Sequence, residues 1–357
     1  MKNMYKIALL LFLIPLVVAA TEHKGKYTKN KKVTKEYTVN KDASLTISNK
    51  YGNIHIVTGN SNNIEIEVNI TTSGDNEEKV QERLNQINIE FDGNSSNVSA
   101  KTIIGKSSSS WSWGRKSNVN MEINYIVKMP VTNNVNLSND YGSINLDKLE
   151  GTAKINCDYG KITIGELLNS NNSINIDYTN KSNIEYLKSG NINADYSTLH
   201  VEKSGTVNLN ADYSHISFGM ISDLDYNCDY GDLKIENCAN IVGNSDYMQT
   251  SIGKLFEAGS FDIDYGSLKI NALSENFKKL TVESSYTQIK LGINSTNSFN
   301  LEASLSYGNL KYNDDFTFNK EITKTSSKYY QGYYNSSNST STITLKANYG
   351  NITFTTN

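Results

Sequence analysis

One tyrosine frame, returning ten times in succession, limits what this chain can fold into more than any other feature of its sequence. The frame is a tyrosine preceded by Asp or Asn, often followed by Gly, with an apolar-x-apolar pair just after it. It reads Asn139-Asp140-Tyr141-Gly142-Ser143-Ile144-Asn145-Leu146, then Asp158-Tyr159-Gly160-Lys161-Ile162-Thr163-Ile164. It returns at Tyr178, Tyr196, Tyr213, Tyr230, Tyr247, Tyr265, Tyr286 and Tyr307, in steps of 17 to 21 residues. Isolated relatives stand at Tyr51-Gly52-Asn53-Ile54 and Tyr349-Gly350-Asn351-Ile352. Three and five residues after the tyrosine come pairs such as Ile162/Ile164, Leu199/Val201 and Leu233/Ile235. Four and two residues before it come Ile155/Cys157, Ile174/Ile176 and Leu209/Ala211. Period two on each side means two strands per repeat, each with one face inward. Inward parity changes across the tyrosine, so the chain turns there, and the following glycine is expected to supply a positive φ.

A single repeat of this length cannot bury its apolar row alone, but stacked repeats fuse those rows into one core. The expectation is an all-β, parallel β-solenoid of about ten 17–21 residue coils, a rod on the order of 50 Å long. An antiparallel sandwich is the rival fold, since short strands and turns suit it too. Around Tyr178 the pattern slips, which predicts a bulged turn. Residues 137–357 form the repeat region, with a Tyr/Ser-rich loop inserted at 324–341. Residues 21–136 differ: strands are expected at Ser44–Ile47, Ile54–Val57, Ile64–Ile70, Ile87–Phe91 and Val119–Met129. Asp75 followed by Glu78 resembles a helix cap, and Val80, Leu84 and Ile87 give a helical stripe. A short helix there would plug one open end of the core, completing a mixed N-terminal cap.

Residues 1–20 read as an export signal: Lys2 and Lys6, an apolar run from Ile7 to Val18, then Val18-Ala19-Ala20 for cleavage. The mature protein would then have no membrane span and lie in the periplasm, at the cell surface or outside the cell. Removing that segment takes two of the 34 basic residues and none of the 37 acidic ones. The remaining excess of acid gives no reason to expect nucleic acid. Lys24, Lys26, Lys29, Lys31, Lys32 and Lys35 read as a solvated leader. Three cysteines are too few for a disulfide scaffold, and Cys157 and Cys228, four repeats apart, are expected to be buried thiols.

These features resemble the DUF4097-type adhesin families of Bacteroidetes and related bacteria. The resemblance is carried by the signal segment, Asn49-Lys50-Tyr51-Gly52-Asn53-Ile54, the helix-bearing insert near Glu77–Leu84, and Tyr125-Ile126-Val127-Lys128-Met129-Pro130 leading into the repeats. It implies a right-handed parallel β-helix-like fold, a cell-envelope or extracellular setting and no catalytic residues.

Two rows and one loop are the candidate sites. Asp140, Asp158, Asp177, Asp195, Asp212, Asp229, Asp246 and Asp264 precede successive tyrosines and would form one column. Each carboxylate is expected to accept backbone N–H groups of its own turn. The competing reading is a divalent-cation site, centred on Asp158, Asp177, Asp195, Asp212 and Asp229. The tyrosine column is expected to be a packing ladder, with a platform for sugar rings as the alternative. Tyr329, Tyr330, Tyr333 and Tyr334, with Trp111 and Trp113, are the candidate surface-binding residues, placed in polar loops with no core role. The partner would be a cell-surface glycan or an envelope protein. His23, His55, His200 and His215 lack zinc spacing, and no nucleophile motif is recognisable. The chain is therefore read as non-catalytic, an adhesin or envelope-binding protein; the alternatives are a scaffold docking other proteins and, third, a polysaccharide-active enzyme.

Overall fold

A computed structural model describes residues 25–105 and 119–356. Among these residues the chain is nearly all strand, with a single helix, Glu77–Gln86, and all strands belong to one mixed sheet. The sheet is mostly parallel in the repeat region. Ile155 pairs with Ile174, Ile174 with Ile192, Ile192 with Leu209, and Leu209 with Tyr226, so the residue four before each tyrosine lies beside its counterpart. Ile144 pairs likewise with Ile162 on the other side of the turn. Equivalent apolar side chains thus form continuous rows, and one buried cluster runs from Val39 to Phe354.

Local adjustments keep these rows in register. After Tyr178 the chain carries a second left-handed residue, Lys181 (φ 56°), and Ile164 pairs with Ile184, one position later than the frame dictates. This is the bulge expected there. At Tyr226 an aromatic ring fills the inward position of one repeat, while the next repeat places Gly243 opposite it. A Cβ on Gly243 would stand 2.1 Å from the Tyr226 ring. The Tyr226 hydroxyl lies 3.4 Å from Thr250 Oγ1, so the buried phenol keeps a polar neighbour.

The two isolated tyrosine relatives join the same stack. Ser44–Lys50 pairs in parallel with Asn134–Asp140, and Ile54 with Ile144, which sets Tyr51 against Tyr141 across 90 residues of chain. The intervening chain builds the cover. Asn97–Ile104 adds in parallel to Ser44–Lys50, and Ile87–Gly93 turns back on it. Asn120–Pro130 adds to Ile54–Gly59 and is followed outward by Asn63–Gly74 and Tyr27–Thr38, both antiparallel.

Two expectations change here. The lysine-rich segment is a twelve-residue strand, Tyr27–Thr38, not a solvated leader; its lysines point outward along a strand paired on one side only, where charge discourages further pairing. Lys24 lies outside the described residues. The helix is capped by Asn76, whose side chain accepts from the Lys79 N–H at 3.0 Å, while Asp75 accepts from the Lys26 N–H. Val80 and Leu84 are its buried residues, and it lies on strands Asn63–Gly74 and Tyr27–Thr38, so strands and helix share the covering of this end.

At the other end Ser327–Tyr334 runs antiparallel to both Phe299–Ser306 and Phe316–Thr323. The loop expected over 324–341 is therefore a strand for much of its length. Its alternation places Tyr330 and Tyr334 in the core, against Phe316, Phe318 and Phe299. Cys157, Cys228 and Cys238 are free and buried, and burial pushes each thiol up to about 12.

Candidate surface sites

The turn that carries the tyrosines differs from its expected form. The left-handed backbone sits on the tyrosine itself: all twelve, Tyr51 and Tyr349 included, have φ between 49° and 61°. Such a conformation costs a non-glycine residue about 1–2 kcal/mol. What offsets it is visible at the same positions. Successive rings stack at 4.7–5.2 Å between centroids with planes within 9°, for example Tyr196 on Tyr213 at 5.0 Å and 1°. The tyrosine N–H also continues the ladder between repeats, as from Tyr159 to the Asp177 carbonyl (3.0 Å) and Tyr196 to the Asp212 carbonyl (3.0 Å).

The residue after the tyrosine answers a different demand. A Cβ on Gly142 or Gly160 would stand 1.9 Å from a carbonyl oxygen of the neighbouring repeat, so glycine is needed for close approach. Where it is Ser197, Ser214 or Thr287, the side chain turns inward and its hydroxyl donates to the backbone carbonyl two residues back, at 2.7–2.9 Å.

The tyrosine row is half exposed, from 39% at Tyr51 to 62% at Tyr307. Because each inner ring is stacked on both faces, the row presents edges and hydroxyls to solvent. A sugar ring stacks on an aromatic face, and the free faces are those at the two ends. The ladder is thus built for packing along its length.

The aspartates do form a column, in register from Asp140 through Asp158, Asp177, Asp195 and Asp212 to Asp229. Three of the carboxylates bond across repeats rather than within their own turns. Asp195 Oδ1 accepts from the Asp212 N–H (3.3 Å), Asp212 Oδ1 from Asp229 (3.3 Å) and Asp229 Oδ1 from Asp246 (2.9 Å). Lys50 pairs with Asp140 at the end of the column (2.7 Å). Asp158, Asp212 and Asp246 are held above the usual carboxylate range, by partial burial first and by neighbouring carboxylates of the column as well. No group of three or more His, Cys, Asp or Glu suited to a metal ion occurs among the described residues. His200 lies by Ser217 and Glu202, and His215 by Asp232, so each has its own partners.

A cleft of about 540 Å³ lies where Ser327–Tyr334 and Phe316–Thr323 overhang the last repeats. Asp262, Asp264 and Glu283 line it with Lys324, Lys328 and Lys346, and Tyr329 stands on its wall. The Tyr329 hydroxyl donates to Glu302 (3.2 Å), and the Lys320 ammonium sits 5.3 Å from its ring. Burial and Glu302 raise the Tyr329 phenol above its ordinary value. Of the four tyrosines expected in a polar loop, Tyr329 and Tyr333 face outward, whereas Tyr330 and Tyr334 are core residues and leave the candidate set. Trp111 and Trp113 lie outside the described residues. The charged walls of the cleft were not read from the sequence, because they come together only through pairing of distant strands.

No protein-family model matches the chain, and no curated protein matches it. Among solved structures it is similar to a "putative cell adhesion protein" from Clostridium sporogenes, at 12% identity over 93% of this chain and 100% of that one, with a TM-score of 0.19. A "putative adhesin" from Parabacteroides distasonis is 11% identical over 75% of this chain and 94% of its own, with a TM-score of 0.35. A "putative lipid binding protein" from the same species is 9% identical over 91% and 96%, with a TM-score of 0.27. Likeness this weak decides no function. No helix among the described residues is long and apolar enough to cross a membrane.

Proposed function

We propose that this chain is an exported, non-catalytic binding protein, wound as a right-handed parallel β-solenoid, that attaches to a cell-surface glycan through its C-terminal cleft. Residues 1–20 act as the export signal, residues 21–136 cap one end, and the coils run from 137 onward. The observation that carries the reading is the cleft beneath Ser327–Tyr334: an open, polar concavity with Tyr329 on its wall. Hydroxyl-rich polymers are recognised by carboxylates and ammonium groups that bond the hydroxyls and by an aromatic ring beside them. Tyr333, on the same outward face as Tyr329, is proposed to add to that surface, whereas Trp111 and Trp113 are proposed as a separate binding surface on sequence grounds alone.

A glycan array probed with the mature chain tests this. Binding is expected, with loss in Tyr329→Ala and retention in Tyr213→Ala, which alters only the ladder. Failure to bind any glycan, or binding indifferent to Tyr329, overturns the reading. A second reading, an envelope scaffold that docks another protein, is favoured by the long row of half-exposed tyrosine edges. Co-purification of one envelope protein, abolished by substitutions in the row and not in the cleft, would select it. Cell fractionation checks the export.

A further inference from the structure

The last repeat in the chain is not the last repeat in the stack. Lys279–Ser285 of the Tyr286 repeat pairs in parallel with Thr342–Asn348, and Thr342–Asn348 pairs in turn with Phe299–Ser306 of the Tyr307 repeat. On the other side of the turn, Asn351–Thr356 stands between Gln288–Ile293 and Leu310–Lys311. The ring order agrees, since Tyr349 stacks on Tyr286 at 4.9 Å and on Tyr307 at 4.7 Å. The C-terminal strand pair therefore fills a berth whose two walls are both encoded before it.

The connection into the Tyr307 repeat shows how the berth arises. Residues 294–298 lie directly over the preceding loop, with Asn294 Nδ2 donating to the Leu273 carbonyl (3.5 Å) and Asn297 Nδ2 to the Ser274 carbonyl (3.0 Å). Only then does the chain climb a further level, where the Asn300 N–H donates to the Ser341 carbonyl (2.9 Å). Lys279 and Asn300 both align with Thr342, so the two walls are in register with one another as well as with the strand between them. The strand pair that enters brings Ile343, Leu345 and Ala347 on one side of the turn and Ile352 and Phe354 on the other, all buried. It is tied to the rest of the chain by the short polar segment 335–341.

We infer that this berth accepts the C-terminal strand pair of a second copy of the chain, so that copies join by exchanging residues 342–356. An exchanged strand pair remakes every contact of the berth on both walls, and only the segment 335–341 changes its path. The chain's own strand pair is favoured by its tether, which acts as a high local concentration, so exchange belongs to concentrated conditions during folding. The occupant is specified by the alternation that the walls demand and by a Tyr-Gly step that continues the ring ladder, a form of strand addition.

Thr281 and Thr344 are paired across one wall of the berth, which supplies the test. Full-length mature chains carrying Thr281→Cys or Thr344→Cys, each with Cys157, Cys228 and Cys238 replaced by alanine so that no native thiol can cross-link, and with different tags, are unfolded together and refolded under oxidising conditions. The expected result is a disulfide joining the two tags, in excess over links between identical variants. Its yield should rise several-fold when the refolding concentration is raised about tenfold. Chains refolded apart and then mixed should show little of it. The double variant Thr281→Cys/Thr344→Cys, with the same three alanines, serves as reference, closing the same link within one chain at low concentration. If the reference closes and mixed chains never join beyond the links between identical variants, the exchange is refuted. If the reference does not close, the berth itself is refuted and the inference falls with it.

Discussion

Tyrosine in a left-handed conformation, twelve times over, sets one energy against another at each position. The backbone cost is about 1–2 kcal/mol, and each of the ten inner rings interacts with one neighbour above and one below, each aromatic pair contributing about 0.5–1.5 kcal/mol. The balance predicts an unusual order of variants at Tyr213, which stacks on Tyr196 at 5.0 Å and on Tyr230 at 4.8 Å. Tyr213→Phe should stay close to the parent, because the ring remains. Tyr213→Ala keeps the strained backbone and loses both stacks, so it should be destabilised most, by about 1–3 kcal/mol. Tyr213→Gly loses the stacks but relieves the strain, and should recover about 1 kcal/mol relative to alanine. Urea unfolding of the four proteins checks the order. A glycine variant more stable than the parent would mean that stacking does not hold the turn.

Strand parity decides what each end of the stack is made of. In Ser327–Tyr334 the order Tyr329-Tyr330-Gln331-Gly332-Tyr333-Tyr334 puts an aromatic residue on both faces, so the sequence hides which face is inside. The structure buries Tyr334 completely and leaves Tyr333 part-exposed. Tyr334→Ala is therefore expected to cost about 3–5 kcal/mol, whereas Tyr333→Ala should stay within about 0.5 kcal/mol of the parent; thermal melts separate the two, and equal effects would contradict the parity. The repeat strands, by contrast, were legible, because Ile162/Ile164 and Leu199/Val201 alternate cleanly with polar residues. Tyr27–Thr38 escaped notice for the opposite reason: its inward face is only part-buried, at Tyr27, Lys29, Val33 and Tyr37, and lysines occupy both faces, so no clean apolar alternation marks it. The left-handed tyrosines were misplaced by one residue, since sequence rules assign that conformation to glycine. Nor does anything distinguish Tyr349-Gly350-Asn351-Ile352 from Tyr307-Gly308-Asn309-Leu310 as the inner of two neighbours, so the order of the last repeats had to be seen. Tyr329 was singled out from the sequence and does line the cleft, while Glu283 and Lys346 on the same cleft were not, because they belong to strands more than 60 residues apart in sequence.

Along the whole stack, the aspartate column couples stability to acidity. Asp158, Asp212 and Asp246 hold their protons more tightly in the folded chain than a free carboxyl does. For an acid with a raised folded value, the favourable contribution is complete below the unfolded value of about 3.9 and is lost as pH rises through the folded value. The column is thus a source of instability at neutral pH. Opposing carboxylates, such as Glu67 with its Lys32 partner, are lowered instead and lose their contribution on acidification, so the melting temperature of the parent alone mixes both signs. A difference measurement isolates the column. The triple variant Asp158→Asn/Asp212→Asn/Asp246→Asn removes three non-adjacent charges and, at Asp212, keeps the oxygen that accepts the Asp229 N–H. Each site is largely solvated, so each change should stabilise by no more than about 1 kcal/mol. At pH 7 the variant should melt a few degrees above the parent, by roughly 2–5 °C. As pH falls below the unfolded value of about 3.9 the gap should close, because the parent's carboxyls then take up their protons, and at pH 7 sodium chloride should narrow it by screening. Calcium discriminates further: a column that merely repels responds to it no more than to an equal ionic strength of sodium, whereas a cation-binding column would raise the parent above the variant. Scanning calorimetry at the two pH values, with and without each salt, reads all of these shifts, and a gap independent of pH would remove the aspartate column from the stability of the fold.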